Sequence, residues 1–184
     1  IQRDGGEPVV IGDTAAADMV CDWSTPAVVK EMVNKIKAQH QRIDGLLHLL
    51  PLDDTRNEEG LPQAVIDSRL KHFFTLVQGL YDELNRPDAF IAMPTFNASV
   101  LPYGDAGEPI DPVAAGLAGL LKTVNKEMAN TLVKAVDFDP QMRKHPDAVI
   151  DTFMAELSPG EPPHEALLGA LVRAAADRTN RDRR

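Results

Sequence analysis

Short apolar runs alternate with amphipathic segments along this chain, which is the pattern of alternating strands and helices. Strands are predicted at 8–12 (PVVIG), near 18–22 (DMVCD), at 43–52 (IDGLLHLLPL), at 88–95 (DAFIAMPT) and at 131–139 (TLVKAVDFD). The run at 43–52 is almost continuously apolar, as in a strand buried on both faces of a parallel sheet, and Pro51 should end it.

The amphipathic segments between the runs predict helices. Residues 24–40 offer a cap at Ser24 or Thr25, Pro26 in the first turn, and an apolar face of Val28, Val29, Met32, Val33 and Ile36. A longer helix is predicted from about Pro62 to Leu84, with an apolar side of Val65, Ile66, Leu70, Phe73, Phe74, Val77, Leu80, Tyr81 and Leu84. Further helices are predicted over 110–128, 145–157 and 163–178.

Strands that alternate with helices imply βαβ units, right-handed crossovers and a parallel sheet covered on both faces. The predicted fold class is therefore a doubly wound α/β domain that spans all 184 residues. We expect partial N-terminal strands over about 1–22, the core over about 23–157, and a C-terminal helix and tail over 158–184.

The composition argues against several classes of function. The chain has 19 basic and 28 acidic residues, a net charge of −9, so binding to nucleic acid or to an anionic membrane is not expected. The Arg-rich end RTNRDRR is interpreted as a solvated tail. Cys21 is the only cysteine, which excludes an intramolecular disulfide and a cysteine-based metal site and favours a reducing, cytoplasmic setting. The polar start IQRDGGEP suggests a piece of a longer polypeptide.

Motifs for nucleotide chemistry are missing from the sequence. A dinucleotide site needs a glycine-rich turn from a strand into a helix, but Gly5 and Gly6 precede the first predicted strand. Gly116 and Gly119 lie inside a predicted helix, where close helix packing explains them. Neither a Walker-type lysine loop nor a GxSxG motif occurs. The five histidines show no metal-ligand spacing such as HExxH. We therefore predict no catalytic, cofactor-binding or metal-binding residue in this chain.

A few polar residues still allow two interpretations. His48, within LLHLLPL, could serve as a general acid or base at a strand end, although a hydrogen-bonded core histidine is favoured. Asp53 and Asp54 could be paired carboxylates, although in a polar loop they are expected to face water. Tyr103, in the loop 96–112 above the predicted sheet, could line a pocket, but it lacks the lysine four residues on that would lower its pKa for proton transfer.

The expected roles of three more polar side chains follow from their places in the predicted strands and helices. Asp137 and Asp139 end a predicted strand and are expected to cap or brace the next turn. Tyr81 lies on an amphipathic helix, where packing explains it.

Three segments carry a family resemblance: IDGLLHLLPL, AFIAMPT and GLAGLLKTVNKEMANTLVKAVDFDP. They resemble strands and helices of polyketide synthase ketoreductases, a group within the short-chain dehydrogenase superfamily, from about Trp23 to Leu157. They are also similar to the ketoreductases of enediyne and polyunsaturated fatty acid synthases. The resemblance implies a truncated Rossmann-like fold. In that family a structural half without a cofactor site accompanies a catalytic half that binds NADPH.

The active site implied by the resemblance does not transfer to this chain. Counting back from Lys122, the catalytic tyrosine falls at Ile110 and the lysine at Ala114, while Asn97 or Ser99 stands near the serine. The NNAG that usually closes the fourth strand is replaced by HLLPL. These departures match the structural half of the family and not the catalytic half.

The main hypothesis is that the chain is a non-catalytic structural subdomain that packs on the catalytic half of a ketoreductase. Its expected partners are that catalytic subdomain and neighbouring synthase domains, including an acyl carrier protein. NADPH is expected in the parent enzyme only, and a homodimer is possible. Two alternatives stay open: a stand-alone inactive Rossmann-like binding or oligomerisation module, and an enzyme in which His48 or Tyr103 performs acid–base chemistry.

Overall fold

The computed structural model describes residues 8–13, 15–23, 25–52, 63–96 and 112–157. The described strands are β1 (Ile11–Gly12), β2 (Met19–Val20), β3 (Gly45–Leu47), β4 (Phe90–Phe96) and β5 (Leu132–Phe138). The described α-helices are α1 (Pro26–Gln39), α2 (Gln63–Gly79), α3 (Tyr81–Leu84), α4 (Pro112–Glu127) and α5 (Pro146–Glu156). Short 3-10 helices follow β3, at Leu50–Leu52, and β5, at Pro140–Lys144.

All strand pairs in the described part of the chain are parallel. β3, β4 and β5 form one sheet in that order, and β1 and β2 form a separate pair. The register places Gly45 beside Phe90 and Phe90 beside Leu132. Parallel neighbours joined through helices α2 and α4 are βαβ units, so the predicted α/β class is confirmed.

Helices cover both faces of the three-stranded sheet. Because side chains alternate along a strand, β4 directs Ile91 and Met93 to one face and Ala92 and Phe96 to the other. The first face packs against α1, α2 and α4 in the main core. The second face packs against α5, through Val149 and Phe153.

Capping side chains fix several element ends. Thr25 caps α1 by accepting a hydrogen bond from the amide of Val28, and Pro26 occupies the first turn, both as predicted. Asp139 accepts a hydrogen bond from the amide of Gln141 and so begins the 3-10 helix after β5. The predicted role of Asp139 in the turn after its strand is therefore confirmed.

Several predicted boundaries are wrong. The predicted strand at 43–52 is a strand only at Gly45–Leu47, and these residues are half-buried rather than buried on both faces. Only Ile11–Gly12 of the predicted strand 8–12 is extended in a sheet. The predicted long helix is two helices, because the helix breaks at Leu80.

Three side-chain predictions also fail or hold only in part. Phe74, assigned to the apolar side of its helix, is 51% exposed. Close packing explains Gly116, since a Cβ there would lie 3.2 Å from Leu70 Cδ2. It does not explain Gly119, where a Cβ would meet nothing within 4 Å. Tyr81 is exposed, and its hydroxyl accepts a hydrogen bond from Asn85.

Among the described residues, none of the helices has the length and apolar character that crossing a bilayer requires. The predicted helix at 163–178, the Arg-rich tail and residues 97–111 of the predicted loop lie outside the described residues.

Candidate functional site

The carboxyl ends of β3, β4 and β5 are the place where an open parallel sheet binds its ligands. On the face covered by α2, this edge carries His48, Thr95 and Asp137, with Arg69 buried nearby on the helix. On the opposite face it carries Phe96, Phe138 and Arg143. The two groups of side chains are separated by the sheet itself.

His48 follows β3 directly and is buried at 4% exposure. Its backbone amide donates to Ala92 O of β4 at 2.9 Å, which continues the ladder of the sheet. The imidazole ring packs on Phe73 of α2, with 4.7 Å between the ring centroids. Its Nε2 is buried and has no hydrogen-bond partner among the described residues. The burial agrees with a core histidine, but the hydrogen bond expected for such a residue is not present at Nε2.

Burial controls the protonation of His48. Desolvation, reinforced by the positive charge of Arg69, lowers the pKa of His48 to about 4. The imidazole is therefore neutral near pH 7. An efficient general acid or base has a pKa close to the working pH, so this environment disfavours the acid–base role considered for His48.

Thr95 and Asp137 join the ends of β4 and β5. Thr95 Oγ1 donates to Asp137 Oδ1 at 2.9 Å, and both side chains are buried. Asp137 is predicted to cap or brace the next turn, whereas this hydrogen bond joins it to the neighbouring strand.

Arg143 bridges the opposite face of the same edge. Its guanidinium lies 4.2 Å from the ring centroid of Phe96, and its Nη1 donates to Leu52 O at 2.8 Å. These contacts tie the 3-10 helix after β5 to the 3-10 helix after β3 across the end of β4.

Ala114 occupies the first turn of α4 and is only 1% exposed. The resemblance places a catalytic lysine at this position, and a methyl group can neither donate a proton nor bind a ribose hydroxyl. Ile110, Asn97, Ser99 and Tyr103 lie outside the described residues, as do Asp53 and Asp54.

Lys134 and His72 are among the buried charged or polar residues that the sequence pattern did not single out. Lys134 of β5, at 3% exposure, lies 3.8 Å from Glu156 of α5 on the second face of the sheet. His72 of α2 is buried beside Trp23, and desolvation lowers its pKa despite the opposing charge of Asp22. Lys134 could have been noticed in the sequence, because it is a charged residue within a predicted buried strand. Within the described ranges, no cluster of His, Cys, Asp or Glu could hold a metal ion.

Comparison with known proteins finds solved structures of similar fold. No family model and no curated protein matches this chain. Among solved structures, a Brucella ovis oxidoreductase of the short-chain dehydrogenase/reductase family, in complex with a partially ordered NAD, is 15% identical, with a TM-score of 0.58. The match covers 83% of this chain and 82% of that one.

Two further structures show the same likeness. The Pseudomonas aeruginosa RhlG/NADP active-site complex is 16% identical with a TM-score of 0.53, over 85% of this chain and 68% of that one. The Aquifex aeolicus enoyl-[acyl-carrier-protein] reductase (NADH) is 14% identical with a TM-score of 0.56, over 75% of this chain. The chain spans only 64% of that reductase. At such identities the likeness establishes a fold, the truncated Rossmann-like fold of short-chain dehydrogenases.

Proposed function

We propose that this chain is the non-catalytic structural subdomain of a polyketide-synthase-type ketoreductase. It packs on and stabilises a catalytic half, which binds NADPH and reduces a β-ketoacyl group carried by an acyl carrier protein. Membership of the short-chain dehydrogenase superfamily is part of this proposal. The catalytic residues lie in the other half, and the partners are that half and the neighbouring synthase domains.

The observation that carries the proposal is Ala114. The fold is that of short-chain dehydrogenases, and α4 connects β4 to β5. The resemblance identifies α4 with the helix that carries the catalytic lysine in that family. At the lysine position, however, this chain has the buried methyl group of Ala114. Two features of the strand ends support the same conclusion. Burial holds His48 neutral, with a pKa of about 4, and Arg143 stacks on Phe96 at the opposite face of the edge.

NADPH binding tests the first half of the proposal. The purified chain is titrated with NADPH by fluorescence, with and without a β-ketoacyl thioester, beside a catalytically intact short-chain dehydrogenase as the positive control. We expect neither saturable binding nor turnover from this chain. Saturable micromolar binding would contradict the proposal, since it would mean that a cofactor site exists without the glycine-rich turn.

Association with a catalytic half tests the second part. The gene is read beyond codon 184 for a TGGxGxxG-type strand–loop–helix, and the encoded segment is produced separately. We expect the two pieces to copurify and the ketoreductase activity of the catalytic piece to rise when this chain is added. A gene that stops after Arg184 would count against the proposal.

One observation favours the alternative of a stand-alone binding module. The buried Nε2 of His48 has no hydrogen-bond partner in the described part of the chain, and a neutral imidazole nitrogen there could accept a hydrogen bond from a ligand donor. The same titration distinguishes this alternative, because a binding module would bind a small molecule without any catalytic half present.

A further inference from the structure

Two buried histidine rings meet α2 at adjacent positions of that helix. The ring of His48, which follows β3, lies 4.7 Å from the ring of Phe73 on α2, measured between centroids. The residue before Phe73 is His72, whose ring centroid lies 6.3 Å from that of Trp23, just ahead of α1. Both histidines are buried. One turn of α2 is therefore held by an imidazole on the sheet side and by another beside the segment that leads into α1.

The surroundings of His48 suit a neutral ring. Its Nε2 is buried and meets no hydrogen-bond partner in the described ranges. The charge that acts on the ring is the guanidinium of Arg69, on the same helix, which adds to the effect of burial in lowering the pKa of His48. The carboxylate of Asp137, at the same edge of the sheet, accepts a hydrogen bond from Thr95. A proton on His48 therefore places a second cation beside Arg69 in a poorly solvated site.

His72 is buried in a similar way. The charge that acts on it is the carboxylate of Asp22, next to Trp23 in the sequence, and this charge favours the protonated ring. Burial outweighs it, so the pKa of His72 is lowered as well. Both histidines therefore bind a proton less readily in the folded chain than they do in water.

The two histidines contact α2 where its burial changes along the helix. Apolar side chains that precede His72 on α2 are only half-buried, whereas those that follow it belong to the main core. The half-buried side chains are those of Val65, Ile66 and Leu70, and the buried ones are those of Phe73, Leu76 and Val77. A segment that buries less apolar surface opens at a lower free energy than the whole domain unfolds.

We propose that residues 63–73, which we call the switch segment, form an acid-sensitive conformational switch. When His48 and His72 take up protons, the switch segment leaves the sheet and Trp23, while β4 and β5 stay folded. Water then solvates both imidazolium rings. The opening also uncovers the strand ends that carry Thr95 and Asp137, so acid controls access to this edge of the sheet. The inference rests on the packing of the two histidines and is independent of the ketoreductase proposal.

The expected pH dependence follows from the protons taken up. Because the rings bind protons more tightly in the open form, opening becomes more favourable as the pH falls below about 6.5, the ordinary pKa of histidine. Each histidine that is protonated only in the open form makes the opening equilibrium about tenfold more favourable per pH unit. The two together give up to about a hundredfold per pH unit.

Trp23 reports the switch, since it is the only tryptophan of the chain and lies beside His72. Its fluorescence is followed while the purified chain is titrated from about pH 7 to about pH 4, beside far-UV circular dichroism. We expect a reversible fluorescence change that is complete before the far-UV signal of global unfolding appears. Amide hydrogen exchange by NMR, corrected for the intrinsic effect of pH, should become at least about tenfold faster in the switch segment and stay slow in β4 and β5.

Leucine variants test the two histidines separately. His48→Leu and His72→Leu each keep an apolar side chain in place and remove one site of proton uptake. Each should move the midpoint of the Trp23 transition to lower pH and make the transition less steep, and the double variant should lose it. His145→Leu, at an exposed histidine before α5, is the matched control and should leave the midpoint unchanged.

Three results would overturn the proposal. The first is an unchanged acid transition in the double variant. The second is a simultaneous loss of protection in the switch segment, β4 and β5, because the response would then be global unfolding. The third is constant Trp23 fluorescence down to the pH of global unfolding. Circular dichroism at pH 7 shows whether each variant folds, and the exchange data of the wild type decide the proposal if one does not.

Discussion

Thr95 and Asp137 lie opposite one another at the carboxyl ends of β4 and β5, and the threonine hydroxyl donates a 2.9 Å hydrogen bond to the carboxylate. The pair belongs to the face of the sheet that α2 and α4 cover. Because both side chains are buried, the bond supplies a partner to a carboxylate oxygen in a poorly solvated site.

Removing the hydroxyl should therefore destabilise the fold. Thr95→Val keeps the shape of the side chain and should lower the free energy of unfolding by about 1–3 kcal/mol, because Asp137 loses a donor. Urea denaturation measures the change. Thr123→Val, at an exposed threonine of α4, is the matched control and should change stability by less than about 0.5 kcal/mol. Equal costs at the two positions would contradict the role of the buried bond.

Stability should also depend on the protonation of His48. Its pKa of about 4 in the fold lies below the ordinary value of 6.5, so the unfolded chain binds the proton first as the pH falls. Above about pH 6.5 His48 is neutral in both states and does not change the free energy of unfolding. As the pH falls from 6.5 toward 4, protonation of His48 in the unfolded chain lowers that free energy by up to about 3 kcal/mol. The lowered pKa of His72 acts in the same direction.

His48→Leu isolates this contribution. The variant should be at least as stable as the wild type near pH 7, because it removes an unpartnered buried nitrogen. Its free energy of unfolding should then fall less steeply between pH 6.5 and 4, with the slope of His72 retained. Parallel stability–pH curves for the two proteins would show that His48 is not desolvated in the fold.

Local signals explain which elements the sequence predicts well. Thr25 and Pro26 determine the start of α1 through a side-chain bond and a fixed backbone angle, both properties of a few neighbouring residues. Asp139 likewise defines the turn after β5. The parallel α/β class follows from the alternation of apolar runs and amphipathic segments, which the whole chain repeats.

Tertiary neighbours explain the failures. The run at 43–52 is apolar enough for a long buried strand, but β3 has a described neighbour on one edge only and ends after Leu47. Phe74 is on the apolar side of its helix by periodicity, yet no described element covers it. Both features depend on what packs beside the residue, which periodicity does not encode.

The candidate site was likewise predictable from the sequence only in part. The missing lysine at Ala114 can be read from the sequence through the resemblance. The neutral state of His48 cannot, because it depends on Phe73 and Arg69, which lie more than twenty positions away in the sequence. The bridge from Arg143 to Leu52 joins positions 91 residues apart and carries no local signal.

Lys134 and Glu156 form an ion pair that should be costly to break. Lys134 is 3% exposed and Glu156 10% exposed by side chain, so removing one charge leaves the other in a poorly solvated site. Glu156→Gln should lower the free energy of unfolding by about 3 kcal/mol. The double variant Lys134→Met, Glu156→Leu should recover most of that loss, because no buried charge remains.

An exposed pair of the same chemistry is the control for that experiment. Lys35 and Glu31 lie 3.0 Å apart on α1, one turn from each other, and both are more than half exposed. Glu31→Gln should change stability by less than about 0.5 kcal/mol. A similar cost at Glu31 and Glu156, measured by urea denaturation, would mean that burial does not set the strength of the Lys134 pair.

Two glycines should respond in opposite directions to alanine. At Gly119, inside α4, an added Cβ meets nothing within 4 Å, so Gly119→Ala should stabilise the fold by about 1 kcal/mol through helix propensity. At Gly45, on β3, an added Cβ would overlap Cε1 of the Phe90 ring, so Gly45→Ala must displace that ring and should cost about 1–3 kcal/mol. Thermal unfolding followed by circular dichroism should rank Gly119→Ala above the wild type and Gly45→Ala below it. A destabilising Gly119→Ala would show that this face of α4 is covered in solution, and a neutral Gly45→Ala would show that Phe90 has room to move.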